Sequence, residues 1–425
     1  MRNAVILLFS VLLIAACKPQ QKTSAGKESV SQEKTIARES KTVVSSINGK
    51  YLFEDSTNIN VYLEAEILNL PSETNIEKLA DIFRVQWAIL PETGLKEKLK
   101  VGKVEIKEGK VKKVGKNYQF TFQIPKLKTI ENGSLVVDFV DTQAATKYTY
   151  DLPINFYAKK VDTRFQFFDS TGTGTPRFSN FIFQNEKVIL KSLIPNLEEL
   201  YLIRFKNLSG AALSPMSSTK KDPMSEFEAV DTMKVINGAT LVFPETGTYL
   251  LTQNPADVND GYGFMVVDKR FPRQTMAQDL RDPLVYMSTQ KEIDIFRNTE
   301  DPKEAIDLYF LNISKGNQTV AKQMIKNYYR RVADANRLFT NYKEGWKTDK
   351  GMVYVIMGPP SRVQRNRQRE VWLYAQSQNN SEIIYTFYRK SNTFTDQSYE
   401  LVRYPEYSSY WYPYVEAWRT GNVVE

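Results

Sequence analysis

Three stretches of the chain, residues 60–67, 83–89 and 118–124, alternate apolar and polar side chains with a period of two. A helix would scatter that pattern around its axis, whereas a strand gathers it on one face. Turn-forming residues bound the stretches: Pro71, then Pro91-Glu92-Thr93-Gly94, then Asn132-Gly133. With residues 135–140 and 148–154 as further strands, the spacing predicts an antiparallel, Ig-like sandwich over residues 46–157, with Trp87 in its core.

A second β-rich region follows over residues 158–285. Its expected strands lie at 165–168, 181–183, 200–205, 240–243, 249–252 and 264–267. The stretch Thr171-Gly172-Thr173-Gly174-Thr175-Pro176 has two glycines but lacks the strand-to-helix setting of a phosphate cradle, so it reads as a loop. Ser217 and Lys220 have the Ser-x-x-Lys spacing in which Lys activates Ser. They lie in a polar stretch between Pro215 and Pro223, with no helix to present the serine, and read as loop residues.

The C-terminal third changes period. Asp301-Pro302-Lys303-Glu304 has the residues of a helix start, and Ala305, Ile306, Tyr309 and Phe310 give its buried face. After Lys315-Gly316-Asn317 a longer helix carries Val320, Met324, Tyr328, Val332 and Phe339 on one side. Residues 352–357 read as an apolar strand stopped by Gly358-Pro359-Pro360. Strands at 370–374, 383–388 and 399–403 complete a small antiparallel sheet. The expected fold class is mainly β with an α+β C-terminal part: two β-sandwich-like domains, then a helix-plus-small-sheet module over residues 286–425.

The N-terminus has a different character. Arg2 precedes an apolar run, residues 5–13, too short to span a bilayer. Ile14-Ala15-Ala16-Cys17 then has the pattern of a lipobox, an aliphatic residue and two small ones before the cysteine that is acylated. Cys17 is the one cysteine of the chain. Residues 1–17 are therefore read as a lipoprotein signal peptide, with palmitate or related acyl chains on Cys17 as the membrane anchor. The alternative is an ordinary secretory signal in which the cysteine has no role. Residues 18–45 are polar and predict a disordered tether. No acidic run follows Cys17, which favours an outer-membrane anchor facing the periplasm.

Absences narrow the chemistry. The chain has no histidine and a single cysteine, which removes Ser-His and Cys-His nucleophiles, histidine acid–base catalysis and zinc sites built from those residues. No metal and no cofactor are expected. The formal net charge of +8 is spread over the sequence instead of gathered into a basic face, and no nucleic-acid partner is expected. A carboxylate enzyme stays open in principle, but Asp257 and Asp260 are not distinguished from loop residues.

Tyr328-Tyr329-Arg330-Arg331-Val332-Ala333-Asp334-Ala335-Asn336, Gly345-Trp346-Lys347-Thr348-Asp349, Gly351, Tyr354, Gly358-Pro359-Pro360 and Val371-Trp372-Leu373-Tyr374 occur in that order. Together they resemble the GWxTD-domain family, lipoproteins and secreted proteins of Bacteroidota and related diderm bacteria. The resemblance covers the C-terminal third. It implies an envelope location and implies no activity.

In this setting Trp346 is expected to plug the space between the long helix and the sheet. Gly345 and Gly351 allow tight backbone, and Pro359-Pro360 stops the preceding element. Asp349 either accepts backbone N–H groups or pairs with Arg330 or Arg331, an arrangement that would form a carboxylate–arginine pocket. Two surface features are candidates for interaction. Arg362, Arg365, Arg367 and Arg369 form a basic loop, read either as a contact for acidic groups or as a solvated turn. Tyr410, Trp411, Tyr412 and Trp418 form an aromatic tail, read either as a docking surface or as cover for the domain. The expected function is a non-enzymatic interaction or scaffold subunit docking on an outer-membrane complex for β-barrel assembly, secretion or transport. A glycan- or peptidoglycan-binding protein using the tail is the alternative, and a carboxylate-type hydrolase comes third.

Overall fold

The alternating stretches pair as strands. A computed structural model of the chain describes residues 42–423, except 92–96, 158–159, 173, 195–198, 207–209, 220–227, 257–258, 367, 376–381, 391 and 396. The signal peptide, Cys17, residues 18–41, Lys220, Asp257 and Arg367 lie outside the described residues.

The first module runs β1 (Val43–Phe53), β2 (Asn58–Leu68), helix α1 (Ile76–Ile82), β3 (Phe83–Pro91), β4 (Lys100–Val104), β5 (Val111–Val114), β6 (Asn117–Pro125), β7 (Asn132–Asp141) and β8 (Thr146–Asn155). The strands form two four-stranded sheets, β1-β2-β6-β5 and β4-β3-β7-β8, which is the strand order of an Ig-type sandwich. Val61, Leu63, Phe120, Val137 and Phe139 fill the space between the sheets, with the rings of Phe120 and Phe139 edge-on at 5.3 Å. Trp87 is half-buried and lies over Gly102, where a Cβ would stand 2.4 Å from the indole. The tether reading ends too late. β1 begins at Val43 because Val43 pairs with Leu68 and Val44 is buried in the sandwich core.

The second module contains β9 (Gln166–Phe168), β10 (Phe181–Phe183), β11 (Lys187–Lys191), β12 (Glu199–Phe205), β13 (Ala229–Ile236), β14 (Thr240–Val242), β15 (Gly247–Thr252) and β16 (Tyr262–Val267). They form a mixed sheet, β10-β16-β15-β12-β13, and a three-stranded sheet, β14-β11-β9. An aromatic core of Phe167, Phe243, Tyr249 and Phe264 lies in this module. Tyr62 sits at a solvent-facing position of the sandwich pattern yet is buried, because Leu52, Tyr62 and Phe168 pack together across the two modules. Every residue of β15 and of β16 is buried. Alternation cannot survive there, since one face meets the aromatic core and the other meets the C-terminal module. Leu250 packs with Tyr342 and Phe394, the Thr248 hydroxyl donates to the Tyr342 carbonyl at 2.7 Å, and the Gly263 N–H donates to the Phe394 carbonyl at 2.6 Å.

The third module holds α2 (Ala277–Arg281), α3 (Gln290–Asn298), α4 (Pro302–Ile313), α5 (Gln318–Phe339), α6 (Asp349–Met357), the antiparallel meander β17 (Arg362–Arg365), β18 (Arg369–Ala375), β19 (Glu382–Arg389) and β20 (Tyr399–Leu401), and α7 (Ser408–Thr420). Asp301 and Asn317 cap α4 and α5 with their side chains. Residues 352–357 are helical and not the expected strand. The Thr348 hydroxyl accepts the Gly351 N–H at 3.0 Å and starts a helix, and burial on nearly all sides makes its apolar run continuous. The arginine segment is likewise no simple loop: Arg362 and Arg365 lie on β17 and Arg369 opens β18. Among the described residues no helix is long and apolar enough to cross a membrane.

Candidate functional site

The GWKTD segment fastens α5 to α6. Asn336, on the last turn of α5, is fully buried. It accepts the Trp346 N–H at 3.1 Å and donates to the Pro272 carbonyl at 3.0 Å. The Thr340 hydroxyl accepts the Gly345 N–H at 2.9 Å. A Cβ on Gly345 would lie 2.0 Å from the Ala335 carbonyl oxygen, and one on Gly351 would lie 1.8 Å from that of Gly345. Two backbone segments therefore touch α5 and α6 with no room for a methyl group. Trp346 is 1 % exposed, with its ring edge-on to Tyr286 at 5.9 Å and its indole N–H on Glu344 at 2.6 Å. Pro359 is exposed and Pro360 half-buried, just past Gly358, whose φ of +83° ends α6.

Thr348 does two jobs with one hydroxyl. Besides capping α6, it donates to the buried Gly345 carbonyl at 2.7 Å. Thr348→Ala removes the cap and leaves that carbonyl with the Thr348 N–H alone, at 3.1 Å, so it lowers stability by about 1–2 kcal/mol. Thr348→Ser retains both bonds and most of the stability. Urea unfolding followed by circular dichroism checks the pair, and equal losses in both variants would refute the hydroxyl's role.

Asp349 does not pair with Arg330 or Arg331. Its Oδ1 accepts from Arg403 Nη2 at 2.6 Å and its Oδ2 accepts the Leu401 N–H at 2.6 Å. Arg403, which sequence reading did not single out, also donates to the carbonyls of Leu213 and Ser214 in the second module, at 3.3 and 3.2 Å. The signature aspartate thus anchors β20 and, through Arg403, ties two modules together. Arg331 is buried elsewhere, its guanidinium 4.9 Å from the Trp418 ring and donating to the Ile356 carbonyl at 3.2 Å. Arg330 is exposed. The two arginines and Asp349 form no common pocket.

The aromatic tail is half core. Trp411 and Trp418 are buried in the third module's hydrophobic cluster, while Tyr410 and Tyr412 remain exposed. Trp411 and Trp418, seven residues apart, lie on one face of α7, a spacing visible in the sequence. Arg419 clamps the helix by a bidentate bond to Glu292, at 3.0 and 2.8 Å. Arg362 and Arg369 are exposed, and Arg362 makes a surface pair with Glu382 at 3.4 Å.

Arg365 leads to a concavity between the modules. A cavity of about 400 Å³ lies where the three modules meet, lined by β1 and β8 of the first, the Asp162–Gln166 segment and Tyr262 of the second, and β18, β20 and their loops in the third. On one wall Glu370, 2 % exposed, accepts from Lys350 at 2.9 Å, from Arg365 at 2.9 Å and from the Trp372 indole N–H at 2.6 Å. Burial alone would raise the Glu370 carboxyl; Lys350 and Arg365 outweigh it and hold the group at about 2. Lys350 also lies 3.5 Å from the centroid of the Tyr399 ring. Opposite, burial pushes Asp151 up to about 6, with Arg365 opposing the shift, and burial pushes Tyr150 up to about 12. On β1, Lys50 donates to Gln166 Oε1 at 3.1 Å and to the Tyr262 hydroxyl at 3.2 Å. Lys50, Lys350, Glu370 and Asp151 are separated by up to 320 positions in the chain (370 − 50), and no local motif marks them. Of the sequence-predicted residues, Thr348, Asp349 and Arg365 line this cavity.

No curated protein matches the chain. A family model does, described as the GWxTD domain and spanning residues 247–420, from the first residue of β15 to the last of α7. That segment of the chain is a GWxTD domain.

Proposed function

We propose that the chain is a lipid-anchored envelope protein whose three modules act together as a non-enzymatic interaction subunit on an outer-membrane complex. The observation that carries this reading is the use to which the signature is put. Trp346, Gly345 and Gly351 are spent on helix contact, Thr348 on a cap, and both carboxylate oxygens of Asp349 on β20 and Arg403. A carboxylate engaged on both oxygens in this way acts as a brace. The brace stiffens a unit whose exposed aromatic residues, Tyr404, Tyr410 and Tyr412, are suited to a protein contact.

The anchor is tested by growing the native organism with labelled palmitate. The wild-type chain takes up label and fractionates with the outer membrane, and Cys17→Ser loses both. Label in the serine variant, or none in the wild type, refutes the anchor. Docking is tested by purifying the native protein from detergent-solubilised outer membranes beside a Tyr410→Ser/Tyr412→Ser variant. Truncation of the tail is unsuitable, because it would strip Trp411 and Trp418 from the core. A stoichiometric membrane protein that co-purifies with the wild type and is lost from the variant supports docking; its absence from both refutes it.

A further inference from the structure

The junction cavity has a wall of unspent hydrogen-bond donors. Asn341, Asn366 and Asn392 all line it. Each spends its side-chain oxygen on backbone N–H groups of its own loop: Asn341 on Lys343 at 3.2 Å, Asn366 on Gln368 and Arg369 at 2.9 Å each, and Asn392 on Phe394 at 2.8 Å. Their orientation is thereby fixed, and their amide NH₂ groups donate to no group among the described residues. Lys50 adds a cation to the same cavity. Lys350, Arg365 and Arg403 each have a carboxylate within 2.9 Å, whereas Lys50 has two neutral oxygens, on Gln166 and Tyr262. A donor-rich, cationic, water-sized-to-sugar-sized space calls for a ligand rich in acceptors and carrying a negative charge. The Tyr150 and Tyr399 side chains add aromatic surface to the lining.

We propose that the cavity at the junction of the three modules binds a small acidic sugar, its carboxylate on Lys50 and its hydroxyls on Asn341, Asn366 and Asn392. A volume of about 400 Å³ is ample for a monosaccharide. The site is distinct from the aromatic tail and does not depend on where the protein resides. Because all three modules supply its walls, the bound sugar also holds them together.

The electrostatics around Lys50 give the proposal a second signature. Burial pulls the unliganded Lys50 ammonium down to about 7; Asp162 opposes this without a hydrogen bond to it, and Arg177 adds to it. Tyr262 is pushed up by burial and stays neutral. A carboxylate beside Lys50 favours the charged form, so at pH 8 binding draws a proton from the buffer, and affinity falls as pH rises above about 7.

The test is isothermal titration calorimetry of the full-length chain with galacturonate and digalacturonate, and with galactose and inorganic phosphate as comparators. The uronates bind, galactose binds at least tenfold more weakly, and the heat at pH 8 changes with the ionisation enthalpy of the buffer in the sense of proton uptake. Lys50→Met weakens uronate binding at least tenfold with the thermal midpoint retained, and Lys50→Arg restores it. Asn392→Asp retains the loop-capping oxygen but replaces a donor with an acceptor, and it too weakens binding. Absence of uronate binding, or equal binding by wild type and Lys50→Met, overturns the proposal. Phosphate binding as tight as the uronates overturns its sugar half and leaves an anion site.

Discussion

Gly351→Ala unfolds the C-terminal half of the molecule under conditions where the wild type is intact, with an expected loss of roughly 4 kcal/mol. The added methyl would stand 1.8 Å from the Gly345 carbonyl oxygen and 2.9 Å from the Trp346 Cα. These are backbone atoms, so no side chain can rotate away. Relief requires α6 to move off the GWKTD turn, which opens the contact between Gly345 and Ala335 as well. Gly316→Ala is the natural comparison. Gly316 has a φ of +80°, but nothing lies within 4 Å of its missing Cβ, so the change costs about 1 kcal/mol of backbone conformational energy. Chemical denaturation followed by tryptophan fluorescence separates the two, since Trp346 sits beside the clash. Similar midpoints for both variants would show that the close approach is not what the glycine serves.

Glu370→Gln is the second large effect. Glu370 is the shared carboxylate of Lys350 and Arg365, whose side chains are 14 % and 39 % exposed. The amide leaves the buried Lys350 without a counter-charge, and it offers an NH₂ group where the indole N–H of Trp372 expects an acceptor. The loss is about 3 kcal/mol, at the lower end for a broken buried pair because Arg365 retains access to water. The sign of the pH dependence follows. The Glu370 carboxyl is held at about 2 in the fold, below the ordinary 4.5. Its contribution is therefore fully present above about pH 4.5 and is lost as pH falls toward 2. The difference in stability between wild type and Glu370→Gln shrinks over that window. Asp151, raised to about 6, titrates above this window. A gap that stays constant down to pH 3 would refute the pairing.

Where local pattern and burial agreed, the sequence was readable. Residues 60–67 and 118–124 alternate because one side of each strand faces the sandwich core, and caps such as Asp301 and Asn317 announce their helices. Residues 352–357 misled for a physical reason. A helix buried nearly all round shows no period, and β-branched Val353, Val355 and Ile356 then favour a strand reading. The signal that decides the case was present upstream, where Thr348-Asp349 places a capping hydroxyl and a first-turn acid before the run. The tail was open to two readings, a docking surface or cover for the domain. The seven-residue step from Trp411 to Trp418 assigns both to one buried face, while Tyr410 and Tyr412 stay exposed. The Asp349–Arg403 pair and the Lys50 wall were beyond any local reading, since their members meet only after three modules have docked.

A segment that passes between genes has to fold wherever it lands. The GWxTD domain carries β15 and β16 with it, yet in this chain those strands are hydrogen-bonded to β12 on one side and β10 on the other, and both of the latter lie upstream of residue 247. Detached from that flank, two wholly buried strands would expose open edges to solvent and to each other. The domain is therefore a poor autonomous passenger. Any host gene that acquires it has to provide preceding strands to complete the sheet, so breakpoints that yield a folded product should fall ahead of β9 instead of at residue 247, where the matched segment begins.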